Sequence, residues 1–264
     1  MANNPIYDSI GKNYDLTRKA DPIVVDRIIK QLQVIPSGKY LDIGCGTGNY
    51  TIALHQKGLC IEGVDISQEM LGQAKSKCPK INWHQSDASA LPFVDDFCNG
   101  IVCTFATHHM HDINQVFSEM FRVINHGRVV LFTATPEQMQ HYWLCEYFPA
   151  MIDESAKTMA GFDELNKSLT RSGFKNIQQD IFFVPEKMQD LFLMAGKHSP
   201  EIYLDPNVRE GISAFKLFAE DNELHAGLKA LEQDIQSGKI KEIMQKYQSD
   251  LGDYMLVVGE KPLN

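Results

Sequence analysis

Glycines at 44, 46 and 48, an acid before them at 42 and a second acid at 65 are the residues whose types and spacing suggest chemistry. In the run Leu41-Asp42-Ile43-Gly44-Cys45-Gly46-Thr47-Gly48-Asn49, an apolar strand passes straight into a glycine turn. An apolar run from Tyr50 to Leu54 then opens a helix. Glycine lets the backbone take positive φ and lets a ligand come close, and the helix N-terminus beyond offers free amides. Asp65 ends a second apolar run, Cys60-Ile61-Glu62-Gly63-Val64-Asp65, twenty-one residues after Gly44. This is the layout of a nucleotide-type site: glycines make the turn, and the acid at the tip of the next strand takes ribose hydroxyls. The dinucleotide fingerprint G-x-G-x-x-G is not met, because the third glycine stands at 48 and position 49 is Asn. Asp42 would repel a phosphate and attract a cation.

S-adenosylmethionine has an ammonium group, a sulfonium and no phosphate, and it suits such a turn. The segment Asp42-Ile43-Gly44-Cys45-Gly46-Thr47-Gly48, followed by Gly63-Val64-Asp65-Ile66-Ser67, resembles the class I S-adenosylmethionine-dependent methyltransferases. Within them it is most similar to the small-molecule branch around quinone biosynthesis. The resemblance implies that S-adenosylmethionine is the cofactor and S-adenosylhomocysteine the product. It implies that the turn from Gly44 through Cys45 and Gly46 to Gly48 meets the methionine part of the cofactor, with Asp42 favouring its ammonium. Asp65 would accept both ribose hydroxyls, and Ile66 and Met70 would pack on the adenine face. Asp87-Ala88, followed by Leu91-Pro92-Phe93, resembles the family's adenine-reading segment, with Asp87 accepting from the exocyclic amine and the Ala88 amide donating to a ring nitrogen. Thr104 ends a strand whose backbone the family sets against the methionine part. The stretch from Tyr7 to Arg18 is similar to the opening of many relatives, which implies that Tyr14 covers the cofactor and Arg18 meets its carboxylate.

Methyl transfer from a sulfonium asks the protein mainly to align an acceptor and exclude water. A hydroxyl acceptor would also need a general base. His108, His109 and His111 follow the fourth strand, and His109 is the preferred base, with His108 facing the acceptor. Three histidines in four residues could hold zinc or nickel. Adjacent residues point in different directions, however, and no Cys/Asp cluster accompanies them, so no metal is expected. The expected acceptor pocket lies between residues 138–162 and a later insertion, with Trp143, Tyr147 and Phe148 as its walls. The competing reading is a cofactor-binding module without catalysis.

The elements that must position these residues alternate. Strands are predicted at 40–43, 61–65, 81–85, 100–105 and 128–133, with helices between them. Ser67 and Asp112 are helix caps by type. Residues 175–184 and 253–259 complete the pattern. The fold class is α/β: a doubly wound, seven-stranded mixed sheet of the Rossmann-like methyltransferase type, with a helical insertion before the last strand. The chain reads as one domain over 1–264, with a helical cap at 1–35, a core at 36–184 and 252–264, and the insertion at 185–251 as an acceptor-side lid. Two local departures from the family stand out. Ile124-Asn125-His126-Gly127 replaces the usual turn before strand five, and Cys98-Asn99 precedes strand four with no evident role.

Composition narrows the partners. The chain has 264 residues, 44% of them hydrophobic, and a net charge of −9, which argues against nucleic acid as substrate. Its six cysteines form no C-x-x-C pair and suit a reducing compartment. No signal peptide or membrane span is visible in the sequence. The expectation is a cytoplasmic monomer or homodimer acting on a small molecule, with neither membrane nor nucleic-acid partner.

Overall fold

In the computed structural model, which describes residues 14–263, seven strands form one sheet: β1 (Lys39–Ile43), β2 (Cys60–Asp65), β3 (Trp83–Gln85), β4 (Cys98–Thr104), β5 (Ile124–Thr133), β6 (Lys175–Phe182) and β7 (Tyr254–Lys261). Their order is β3-β2-β1-β4-β5-β7-β6. The first five pair in parallel, and β7 enters antiparallel between β5 and β6. The expected doubly wound mixed sheet is therefore the observed one.

The central strands read as continuous apolar runs because both of their faces are covered. In β5, Val130 and Phe132 face one buried cluster while Val129 and Leu131 face the other. In β7, Tyr254, Leu256 and Val258 alternate in the same way with Met255 and Val257. Helix α1 (Tyr14–Thr17) precedes α2 (Pro22–Leu32), which buries Val24, Val25, Ile28 and Leu32 and is capped by Asp21, whose side chain accepts from the Ile23 amide at 2.9 Å. Helix α3 (Asn49–Gln56) starts directly at the glycine turn, and α4 (Gln68–Lys77) is capped by Ser67. Helix α5 (Ile113–Val123) is capped by Asp112 and lies on the opposite face, burying Val116, Phe117, Met120 and Val123.

No separate turn precedes β5. The strand begins at Ile124, and Gly127, at φ +143°, passes so close to the Asn99 carbonyl that a Cβ there would lie 1.9 Å from its oxygen. The β4–β5 register shifts at this point. The two departures noted in the sequence are thus one feature: an irregular strand start whose Asn99 side chain also accepts from the Lys39 amide at 3.0 Å. Cys60, the first residue of β2, is exposed.

Between β5 and β6 lie α6 (Pro136–Gln140), α7 (Pro149–Lys157) and α8 (Phe162–Ser172). The 185–251 segment carries α9 (Pro206–Glu210), α10 (Ser213–Phe218), α11 (Asp221–Ser237) and α12 (Ile240–Lys246), with Gly238 at φ +81° separating the last two. Its buried side chains, among them Phe192, Tyr203, Phe215 and Leu231, merge with the cluster that contains Tyr40, Val102 and Phe132 of the sheet. Among the described residues no helix is long and apolar enough to cross a membrane.

Candidate active site

The site is built at the carboxyl ends of β1, β2, β3 and β4, where a doubly wound sheet places its ligands. Gly44, Gly46 and Gly48 all take positive φ, at +73°, +53° and +76°. They do so for different reasons. A Cβ on Gly44 would meet the Ala106 Cβ at 2.4 Å, and one on Gly48 would meet the Trp83 ring at 2.4 Å. A Cβ on Gly46 would find nothing within 4 Å. The first and third glycines admit neighbouring side chains, and only the second faces open space. The Gly44 and Cys45 amides donate to the Val64 carbonyl at 2.8 and 3.0 Å, locking the turn to β2.

Asp65 is fixed by the backbone around it: one oxygen accepts from the Gly46 amide at 2.7 Å and the other from the Ser67 amide at 2.9 Å. Beside it Ile66 is 48% exposed, whereas Met70 is 1% exposed and buried under its helix. Only Ile66 of that pair offers an accessible apolar face. Asp87 stands exposed after β3, and the Ser89 amide and hydroxyl donate to it at 2.8 and 2.7 Å. The Ser89 hydrogen bonds hold its carboxyl below the usual carboxylate range. Ala88 packs against the cluster behind it.

Asp42 lies beneath the turn, only 2% exposed. One oxygen accepts from the Thr51 hydroxyl at 2.6 Å, and the other has no hydrogen-bond partner among the described residues. Burial pushes its pKa up to about 7, against the pull of the Thr51 hydrogen bond. The Thr104 hydroxyl, at the end of β4, is likewise buried and unpartnered among the described residues.

Phe105 follows with φ +52°, a conformation that costs a non-glycine residue about 1 kcal/mol or more. It turns the chain into the single 3₁₀ turn Thr107–His109. The His108 and His109 rings lie 3.9 Å apart. Burial holds both imidazoles neutral, His108 far below its ordinary value and His109 at about 4.

A cavity opens beside this turn, with about 560 Å³ of empty space, part of it open to solvent. Tyr14, Arg18, Phe105 and His108 line one side, Met139, Ser155 and Met159 another, and Phe192, Met194, Ile212, Ser213 and Tyr254 close it. The insertion therefore contributes wall to this cavity. None of the aromatics expected there lines this cavity, although Trp143 lines a second cleft, with Tyr142 and Tyr247, between its own segment and the insertion. Trp143, Tyr147 and Phe148 are 2%, 5% and 0% exposed. Trp143 packs on Tyr142 and Tyr203, the Tyr147 hydroxyl donates to Asp234 at 3.0 Å, and Phe148 packs on Phe215. They fasten the insertion to the body of the protein. Their spacing gave no way to separate a cavity wall from a packing seam.

Arg18 also differs from its expected role. Its Nε donates to one oxygen of Asp190 at 2.5 Å, one Nη to the other at 3.3 Å, and the second Nη to the Gly211 carbonyl at 3.3 Å. The guanidinium stacks over the Tyr14 ring at 5.0 Å. Burial works against its charge, and Asp190 more than offsets that, so the group stays protonated. Asp190 is itself 1% exposed and accepts from the Tyr50 hydroxyl at 3.0 Å. Sequence reading missed Asp190, Phe105 and Trp83. The first lies far away in an irregular insertion, the second hides between Thr104 and Ala106, and the third reads as an ordinary strand residue. Residues 7–13 of the opening motif lie outside the described residues. Asp15, still within them, ties α1 to the glycine turn, accepting from the Thr47 hydroxyl at 2.6 Å, Asn49 at 2.9 Å and Lys77 at 2.6 Å.

Residues 41–127 match the family model of the methyltransferase domain. The chain is 33% identical to a protein described as a methyltransferase from an antibiotic biosynthesis pathway of Anabaena variabilis, whose crystal structure it matches with a TM-score of 0.83 over 92% of this chain and 98% of that one. It is 24% identical over 206 residues to the ubiquinone/menaquinone biosynthesis C-methyltransferase UbiE of Geotalea daltonii, covering 66% of this chain and 88% of the relative. It is 28% identical over 210 residues to the demethylmenaquinone methyltransferase of Bacillus velezensis, covering 67% and 90%. A glycine turn at the end of β1, an amide-held acid at the end of β2 and these likenesses converge: the chain belongs to the class I S-adenosylmethionine-dependent methyltransferases and resembles their quinone-biosynthesis branch.

Proposed function

We propose that this enzyme methylates an O, N or C atom of a small molecule by in-line displacement, with the acceptor seated in the cavity beside His108. The observation that carries this reading is adjacency: Tyr14, Arg18, Phe105 and His108 line the cavity, while the Arg18 carbonyl accepts from Asn49 at 2.8 Å just past the glycine turn and Ala106 packs against Gly44.

S-adenosylmethionine, when bound, supplies a methyl group already activated on a sulfonium. The chain's own residues supply grip and alignment. The open space at Gly46 suits a ligand's close approach, and the buried unpartnered oxygen of Asp42 suits an ammonium. Thr104 offers a second unsatisfied polar atom at the same rim. Asp65, its carboxylate oriented by two amides at the end of β2, suits a pair of hydroxyls. Ile66 gives a flat base an apolar face, and Asp87 and Ala88 stand where its edge would be read. Cys45 contributes backbone only, since burial pushes its thiol well above the ordinary range.

His109, with a pKa near 4, is a neutral hydrogen-bond acceptor and a weak base at pH 7. General bases work best when their pKa lies near the working pH, so His109 is a poor base, and of the two imidazoles it is His108 that lines the cavity. The cavity walls, rich in methionine and phenylalanine, exclude water and fit an apolar body. The 185–251 segment is the acceptor-side wall of a single-domain enzyme.

Calorimetric titration with S-adenosylmethionine, S-adenosylhomocysteine and NAD tests the cofactor half. The two sulfur ligands are expected to bind and NAD is not, and Asp65→Ala is expected to weaken binding by about tenfold or more. Unchanged affinity in Asp65→Ala would remove the ribose assignment. Release of S-adenosylhomocysteine across a panel of phenols, quinols and amines tests the acceptor half, and turnover only with a macromolecular acceptor would contradict it.

A further inference from the structure

The cavity holds a charge and its answer in an unusual arrangement. Of the side chains that line it among the described residues, Tyr14, Arg18, His108 and Tyr254 can ionise. Burial keeps Tyr14 and Tyr254 as neutral phenols and His108 as neutral imidazole. Arg18 alone carries a charge there. Behind it, and not on the cavity wall, stands Asp190, bonded to Arg18 through both carboxylate oxygens at 2.5 and 3.3 Å. The pair is 11% and 2% exposed at its side chains, so solvent screens it little. The Tyr50 hydroxyl and the Gly211 carbonyl complete the set of partners.

A lone buried guanidinium in an apolar cavity would be a strong attractor for carboxylates and phosphates, which it grips through parallel hydrogen bonds. A guanidinium already forked onto a carboxylate is not, because its charge is offset and an entering anion would meet the carboxylate's repulsion. Asp190 comes from the insertion, whereas Arg18 comes from the N-terminal helix end that also faces the glycine turn. The insertion thus supplies more than wall.

We infer that Asp190 is a specificity-determining residue: by cancelling the charge of Arg18 it restricts the cavity to uncharged acceptors and rejects anionic ones. This rests on the reading of the cavity as the acceptor site. Asp190 acts through Arg18 and is a positioning residue.

The test uses the full-length protein saturated with S-adenosylhomocysteine, whose own binding is measured first. Calorimetry then compares 1-naphthol with 1-naphthoate, two probes of one shape that differ in charge. Wild type is expected to favour the naphthol by about tenfold or more, and Asp190→Asn to shift that ratio toward the naphthoate by a similar factor. Asp190→Glu should keep the wild-type preference. If Asp190→Asn does not fold, the double variant Arg18→Met/Asp190→Met serves, since apolar pairs often replace buried ion pairs without loss of stability. It should keep the wild-type ratio within about threefold, because both charges leave together. Naphthoate binding wild type as tightly as naphthol would overturn the inference. So would a folded Asp190→Asn with an unchanged ratio, or a double variant whose naphthol preference rises well above wild type. Binding of S-adenosylhomocysteine with no binding of either probe would refute the cavity assignment and the inference with it, and leave the cofactor half standing.

Discussion

The glycine-turn side of the cleft is made of backbone from short neighbouring stretches, whereas the cavity side is made of side chains drawn from distant ones. On the first side, positive-φ glycines and amides from 44–46 and 67 set the geometry, and Asp65 is held by amides 19 and 2 positions away. On the second, Arg18 meets Asp190 across 172 positions of sequence. A site made of local backbone tolerates few sequences, and so it can be read from one. A site made of long-range side-chain packing can be built in many ways.

The largest effect that sharpens the contrast is expected at Phe148. Phe148→Ala should cost about 3–5 kcal/mol of stability, the usual result of emptying a fully buried aromatic position. Calorimetry on the folded fraction should still show S-adenosylhomocysteine affinity within about twofold of wild type. A selective loss of ligand binding would put Phe148 back in a binding wall.

A smaller effect separates two glycines of the same turn. Gly44→Ala combines a strained φ of +73° with a 2.4 Å approach to the Ala106 Cβ. It should cost about 2–4 kcal/mol in denaturant melts. Gly46→Ala meets no neighbour within 4 Å and carries only the strain. It should cost about 1 kcal/mol of stability while lowering cofactor affinity by more than that loss predicts. Equal stability losses would mean that the two glycines do not differ as argued.

The same contrast explains what was legible. Gly44, Asp42 and Asp65, the caps Ser67 and Asp112, and the alternation of strands with helices could be read because turns, caps and two-face burial leave local marks in residue type and period. The irregular entry to β5 could be noticed but not explained, because Asn99 and Gly127 make sense only when their strands are adjacent. Tyr147 and Phe148 looked like a cavity wall because an aromatic run has the same spacing whether it packs inward or lines a void. The partner of Arg18 carried no mark at all: Asp190 is one acid among many until the insertion folds against α1.

A different kind of effect is a pH dependence. The folded-state pKa of Asp42 is raised to about 7, while the unfolded chain ionises near the ordinary carboxylate value. Between those values the native state holds the extra proton, so the contribution of Asp42 falls as pH rises through that window and levels off above it. His108 and His109 act oppositely in acid, so the clean observable is wild-type stability minus that of Asp42→Asn. That difference should decline from about pH 4 to about pH 7, and a flat profile would remove the buried-acid reading.

Hydrogen–deuterium exchange with and without S-adenosylhomocysteine tests the central claim most directly, that the backbone-built side grips the cofactor and the aromatic seam does not. The account predicts protection across residues 44–48, 65–70 and 87–88 and no change across 143–148. Protection concentrated in 143–148, with the glycine turn unaffected, would contradict it.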